Sequence, residues 1–256
     1  TWNNLFFFLV LANQLANAGY NVVLCNVSNF YFDLAYNNDS KEPGLYWAGF
    51  IDTKNAWAFA PYNMFNTTLK GSMGNELHWD TPSAKWQSLK PEARKNIIGV
   101  EAQLWSETIK GRDMLEYYML PKLIGFSESA WSPERQWETQ PNRQQRLENI
   151  DAGWNQFANT IAQKELPRLA HTNGGYAYRV PPAGVIVENG QAKANVALPG
   201  ISIHYTTDGS APTQQSAVYN GPIQATGTLQ FKTFDAAGRA GRTVIQQGGG
   251  LKQKLN

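Results

Sequence analysis

Two short stretches of the chain set an aromatic ring and a carboxylate two residues apart: Tyr31-Phe32-Asp33 and Trp105-Ser106-Glu107. On an extended backbone side chains alternate, so each ring and its acid face the same way. Such a pair suits a sugar. The ring covers the apolar C–H face, and the carboxylate accepts hydrogen bonds from hydroxyls. One pair alone reads equally well as a core aromatic beside a surface acid. Two pairs, each following an apolar run, argue for a site.

The runs that must position these pairs read as strands. Ile97 to Leu104 (IIGVEAQL) is apolar up to Val100 and predicts a strand buried in a sheet, opening at its C-terminal end onto Trp105. Tyr20 to Val27 predicts a second buried strand. It follows a helix over Ala12 to Ala18 that Gly19 ends. Helix followed by apolar strand is the rhythm of parallel α/β structure, and in a barrel of that kind the C-terminal strand ends carry the chemistry. Trp2 to Asn4 reads as the end of a further strand. Leu5 to Ala12 (LFFFLVLA) is too short to span a bilayer and lacks the flanks of a signal peptide. It is expected to be buried structure in a chain that starts partway through its fold.

Between Asn37 and Gln87 the chain is rich in Asn, Gly, Pro and aromatics, among them Tyr46, Trp47, Trp57, Phe59, Tyr62, Trp79 and Trp86. This predicts a long binding loop over a rigid frame. Trp47, just after Pro43-Gly44, fits a binding role and a packing role equally. His78 has no partner at metal-ligand spacing. A helix is predicted over Gly111 to Trp131, divided at Pro121, with Leu115, Tyr118 and Met119 on one face. Another is predicted over Asn142 to Leu169, its stripe of Leu147, Ile150, Trp154, Phe157 and Ile161 serving packing.

Composition narrows the classes. Of 256 residues, 42% are hydrophobic and 16% charged, which excludes a disordered chain. A net charge of +2 without a basic block gives no footprint for nucleic acid. The nine Trp, eleven Tyr and twelve Phe suit carbohydrate contact as well as a large core. Cys25, the single cysteine, reads as a buried thiol.

After His171-Thr172-Asn173-Gly174-Gly175 the pattern changes. Alternating runs at Val185 to Glu188, Ala192 to Leu198, Ile201 to Thr206, Leu229 to Phe234 and Thr243 to Gln246 are parted by turn residues such as Asp208-Gly209 and Asn220-Gly221. This predicts a small β-sandwich. The expected division is therefore 1–175 and 176–256. The predicted strands of the second part carry few aromatics (Tyr205, Phe231 and Phe234, with Tyr219 in a loop), which suits a structural role better than chitin binding.

Several of these stretches together resemble one family. GVEAQLWSE (Gly99 to Glu107) with EYYMLPKLIGFSESAW (Glu116 to Trp131) is similar to the last strand and helix of the catalytic (β/α)8 barrel of glycoside hydrolase family 20, the β-N-acetylhexosaminidases that include bacterial chitobiases. Tyr31-Phe32-Asp33 resembles the preceding strand end. The run IHYTTDGSAP (Ile203 to Pro212) resembles the immunoglobulin-like C-terminal domain of chitobiases. The resemblance implies the C-terminal portion of a barrel followed by that all-β domain. It implies retaining, substrate-assisted release of terminal β-linked N-acetylglucosamine from chitobiose and chitin oligosaccharides, an exception to the two-carboxylate scheme. By the family pattern Tyr31 is the catalytic residue, holding the acetamide oxygen against the anomeric carbon. Asp33 and Glu107 bind hydroxyls of that sugar, Trp105 walls its ring, Trp2 lines the acetamide pocket and Trp47 is the platform for the next sugar. No metal and no organic cofactor is implied, and a secreted, periplasmic or cell-envelope location is.

Two departures stand out. The chain has no adjacent Asp-Glu, the pair that orients the acetamide and protonates the leaving oxygen. Leu5 to Leu11 is more apolar than the glycine-rich loop the family pattern calls for. The remainder of the catalytic barrel is thus an expected partner, without which this chain is expected to be inactive. The rival reading is a non-catalytic carbohydrate-binding protein that uses the same aromatic pocket.

Overall fold

The computed structural model describes residues 8–69, 75–77 and 87–248. Trp2, His78, Trp79 and Trp86 lie outside the described residues. The chain divides into two compact units, Thr1–Asn155 and Gln156–Asn256.

The first unit is α/β. Helix α1 (Phe8–Asn17) ends where Gly19 takes a φ of +94°, which a side chain would resist. Strand β1 (Val22–Leu24) then pairs in parallel with β2 (Ile97–Val100), as the helix-strand rhythm predicts. Both strands are shorter than the apolar runs that announce them. The run through Val27 is not one strand, because α2 (Val27–Phe30) inserts a helical turn. Asn26 explains the switch. Its carbonyl accepts from the Phe30 amide at 2.8 Å, and its buried side chain bonds Asn29 and the Thr68 hydroxyl, so local polar groups outcompete the ladder. Nor is β2 buried on both faces: Ile98 is 59% exposed. Among the described residues β2 pairs with β1 alone.

The stretch from Asn37 to Gln87 is not one long loop. It holds α3 (Thr53–Ala58), started by a capping box between Asp52 and Asn55, and α4 (Met64–Thr67). Trp57 and Phe59 are buried rather than offered for binding. Phe59 and Phe126 meet Phe30 edge-on at 4.7 and 5.1 Å, and Trp57 packs against Trp137 and Trp154. The predicted break at Pro121 is present, between α5 (Gly111–Met119) and α6 (Lys122–Trp131). Tyr118 is fully buried, whereas Leu115 of the same expected face is 39% exposed. Helix α6 lies close on α3: a Cβ on Gly125 would stand 2.6 Å from the Thr53 carbonyl oxygen. The helix expected over Asn142 to Leu169 is α7 (Arg143–Thr160), a π-helical turn (Ile161–Glu165) and α8 (Leu166–His171).

The second unit carries the β-structure that the alternating runs predict. Strands β3 (Gly184–Glu188), β4 (Gln191–Asn195) and β7 (Ile223–Gln224) form one antiparallel sheet. Strands β5 (Ser202–Thr206), β6 (Ala217–Val218), β8 (Gly227–Phe234) and β9 (Val244–Gly248) form the other, in the order β6-β5-β8-β9. Asn189 and Gly190, at φ +50° and +74°, make the β3–β4 turn with both central residues left-handed, as a tight hairpin demands. Ala192 of the first sheet and Ile203, Leu229 and Phe231 of the second share one core, so the sheets pack as a sandwich. Tyr205, Tyr219 and Phe231 pack in that core, which suits the structural reading of these aromatics.

Candidate functional site

The candidate residues meet beyond the C-terminal ends of β1 and β2. After α2 the two segments rejoin: Gln103 N–H donates to the Phe30 carbonyl at 2.9 Å and Phe32 N–H to the Gln103 carbonyl at 2.7 Å, with Tyr31 and Gln103 as an isolated parallel bridge. Tyr31 and Asp33 therefore do not alternate along a strand, and Glu107 stands in a turn. They converge because a bridge and a turn, not a regular pleat, carry them there.

Asp33 is 1% exposed, and neither of its carboxylate oxygens has a hydrogen-bond partner within ordinary geometry. Burial pushes its carboxyl above the ordinary value. The Asp33 and Trp105 backbone amides face it and work the other way, Glu107 adds to the rise, and Lys122 opposes it. A buried carboxylate met by backbone amides only at poor geometry is costly, which marks Asp33 as an unusual group for a core.

Tyr31 is 6% exposed. Burial chiefly raises its phenol, helped by Cys25, Asp33 and Glu101, while a hydrogen bond from the Trp105 side chain lowers it. The indole N–H of Trp105 can only donate, so the Tyr31 oxygen accepts and its own hydrogen remains to be given elsewhere. Trp105 keeps 38% of its surface open. Trp47, 43% exposed, meets the Tyr31 ring edge-on at 5.9 Å. This contact puts Trp47 against Tyr31 and fits either reading of it. Its loop is held there by backbone bonds, Leu45 N–H to the Asp33 carbonyl and Ala35 N–H to the Leu45 carbonyl, both 2.8 Å. Gly44 makes that approach possible: at φ +128°, a Cβ would stand 2.6 Å from the Ala35 nitrogen.

Five of the six candidates are thus brought together, and Trp2 lies outside the described residues. The structure adds residues that the sequence reading passed over. Buried Lys122 donates to the Phe32 and Leu34 carbonyls at 2.9 and 2.7 Å. The signal was a lone cation at the head of a helix whose first turns are apolar (Leu123, Ile124 and Phe126). Tyr118 hydrogen-bonds Thr108 at 3.1 Å, next to Glu107. Cys25, buried as expected, bonds Gln103, which donates to Glu101 at 2.5 Å. Burial, then Glu101, pushes the Cys25 thiol up to about 11, so it stays protonated and unreactive. Two clefts elsewhere in this unit, of about 480 and 510 Å³, contain none of the candidates. Among the described residues no three His, Cys, Asp or Glu cluster as a metal site, and no helix is long and apolar enough to cross a membrane.

The comparisons point to one family. The catalytic-domain profile of glycosyl hydrolase family 20 matches residues 1–134, and that of the chitobiase/β-hexosaminidase C-terminal domain matches residues 165–243. A β-hexosaminidase of Vibrio vulnificus is 30% identical over 91% of this chain and 28% of its own length. An N,N'-diacetylchitobiase of Vibrio harveyi is 31% identical over 77% of this chain and 22% of its own length. The solved structure of a family 20 exo-β-N-acetylglucosaminidase from Vibrio harveyi, in complex with N-acetylglucosamine, superposes with a TM-score of 0.40 at 21% identity, covering 66% of this chain and 20% of that one. The chain spans under a third of the two relatives it matches. With the catalytic-domain profile covering 134 of its 256 residues, the chain belongs to glycosyl hydrolase family 20.

Proposed function

We propose that the protein is a β-N-acetylhexosaminidase that releases terminal β-linked N-acetylglucosamine from chitobiose and chitin oligosaccharides. The observation that carries this reading is the meeting of Tyr31, Asp33, Trp105 and Glu107, with Trp47 alongside, around a buried Asp33 carboxylate whose oxygens have no hydrogen-bond partner within ordinary geometry. Trp105 walls the terminal sugar, and Asp33 and Glu107 accept its hydroxyls. Tyr31 gives its free hydrogen to the acetamide oxygen, which attacks the anomeric carbon and forms an oxazoline-like intermediate with retention. Trp47 takes the next sugar, and Trp2 lines the acetamide pocket. The substrate supplies the nucleophile, so the reading calls on no metal or organic cofactor.

The parallel β1–β2 pair is read as part of a (β/α)8 barrel occupying 1–175, followed by an immunoglobulin-like domain over 176–256. The chain holds no Asp-Glu pair, so the general acid comes from the remainder of the barrel. A substrate derived from chitin favours a secreted, periplasmic or cell-envelope location. The test is hydrolysis of a chromogenic β-N-acetylglucosaminide by the full-length protein beside the 256-residue chain. Activity confined to the full-length protein supports the whole assignment. Binding without turnover by the full-length protein would instead establish the carbohydrate-binding alternative.

A further inference from the structure

Lys122 opens α6 directly after Pro121 and is fully buried. An ammonium in such a place must be met by acceptors, or desolvation expels it. Its Nζ donates to the carbonyls of Phe32 and Leu34, the two residues on either side of Asp33. It also sits 4.0 Å from the centre of the Tyr36 ring and 5.8 Å from that of Phe32, within cation–π reach. The acceptors named here are neutral. A structural cation that only needed satisfying could sit on any free carbonyls. This one grips the two that fix where the Asp33 side chain leaves the backbone.

We propose that Lys122 is a positioning residue for the sugar-binding carboxylate: it clamps the Phe32–Leu34 backbone and sets a positive charge beside buried Asp33. The inference rests on the reading of Asp33 as a hydroxyl-binding group. The charged and titratable groups that face Asp33 are Tyr31 on its own segment, Glu107 from the turn after β2, Tyr118 of α5 and Lys122 of α6. Lys122 is the cation in that set. Without it, only the Asp33 and Trp105 backbone amides oppose burial and Glu107 among the described residues, and the carboxyl holds its proton to higher pH.

The experiment compares Lys122→Met, Lys122→Gln and Lys122→Arg in the full-length protein. It reads kcat/KM against pH and titrates the Asp33 carboxyl by infrared difference, with Asp33→Asn to assign the band. The neutral variants should move the acid limb and the Asp33 band up by about one pH unit or more. Lys122→Arg should return both to the wild-type position while kcat/KM stays lowered by its wider fork. Neutral variants that fold with limb and band unmoved would overturn the proposal, since a merely structural lysine lowers stability without touching either. Should neither neutral variant fold, Lys122→Arg decides: a lowered kcat/KM with limb and band at the wild-type position supports the proposal, and an unchanged kcat/KM or a moved limb refutes it. A wild-type protein that hydrolyses no hexosaminide would sink the proposed function, yet the infrared band would still report on Lys122.

Discussion

At the residue scale the proposed site divides donors from acceptors. Trp105 gives its N–H to the Tyr31 oxygen, and in the proposed role the phenolic hydrogen goes to the substrate. If that hydrogen bonds a developing charge, Tyr31→Phe in the full-length enzyme should lower kcat by about 10²–10³ with little change in KM, equivalent to ~2–4 kcal/mol. An unchanged kcat would remove Tyr31 from the mechanism. Asp33 makes a second prediction. Burial, the largest cause, holds its folded value above the unfolded one, so its contribution to stability is fully present below the ordinary carboxylate range and is lost as pH rises through the raised value. Asp33→Asn should therefore unfold at a higher temperature than wild type near neutral pH, and the advantage should fade on acidification. The same variant should lose the acid limb of kcat/KM. Calorimetry across pH and initial rates read these separately.

At the scale of elements, close backbone approaches hold the site. The Trp47 loop is laid on Asp33–Ala35 through Gly44, whose missing side chain leaves room for the Ala35 nitrogen. Gly44→Ala should cost about 1–3 kcal/mol in urea unfolding, because overpacking and a left-handed φ act together. It should also weaken chitobiose binding through displaced Trp47. Wild-type stability in that variant would mean the loop is not pinned there. Chain signals made some of this legible. Pro43-Gly44 marked a turn, Pro121 marked the break between α5 and α6, and Gly19 marked the end of α1. The helical turn α2 was not legible as such. Asn26, Ser28 and Asn29 sat within an apolar run, and only contact with Thr68 and Asn55, distant in sequence, shows why that run stops being a strand.

At the scale of the whole molecule the chain joins two kinds of packing, a parallel α/β unit and an antiparallel sandwich. In the sandwich Phe231 is fully buried between Tyr205 and Tyr219. Phe231→Ala should destabilise that unit by about 3–5 kcal/mol, seen as an earlier calorimetric transition. The sequence by itself determined what is local and periodic. It set the alternation that makes β3, β5 and β8, the breakers that end helices, and the residue types able to hold a sugar. Tertiary structure alone decided which aromatics are core and which face the site. Trp57 and Trp47 lie in the same aromatic stretch, yet one is buried against Trp137 and the other stays open beside Tyr31. It alone also brought Lys122 to the carbonyls around Asp33. The reason is physical: periodicity reports the side on which a residue points, while burial and a charge's partners depend on segments some ninety positions away in the chain.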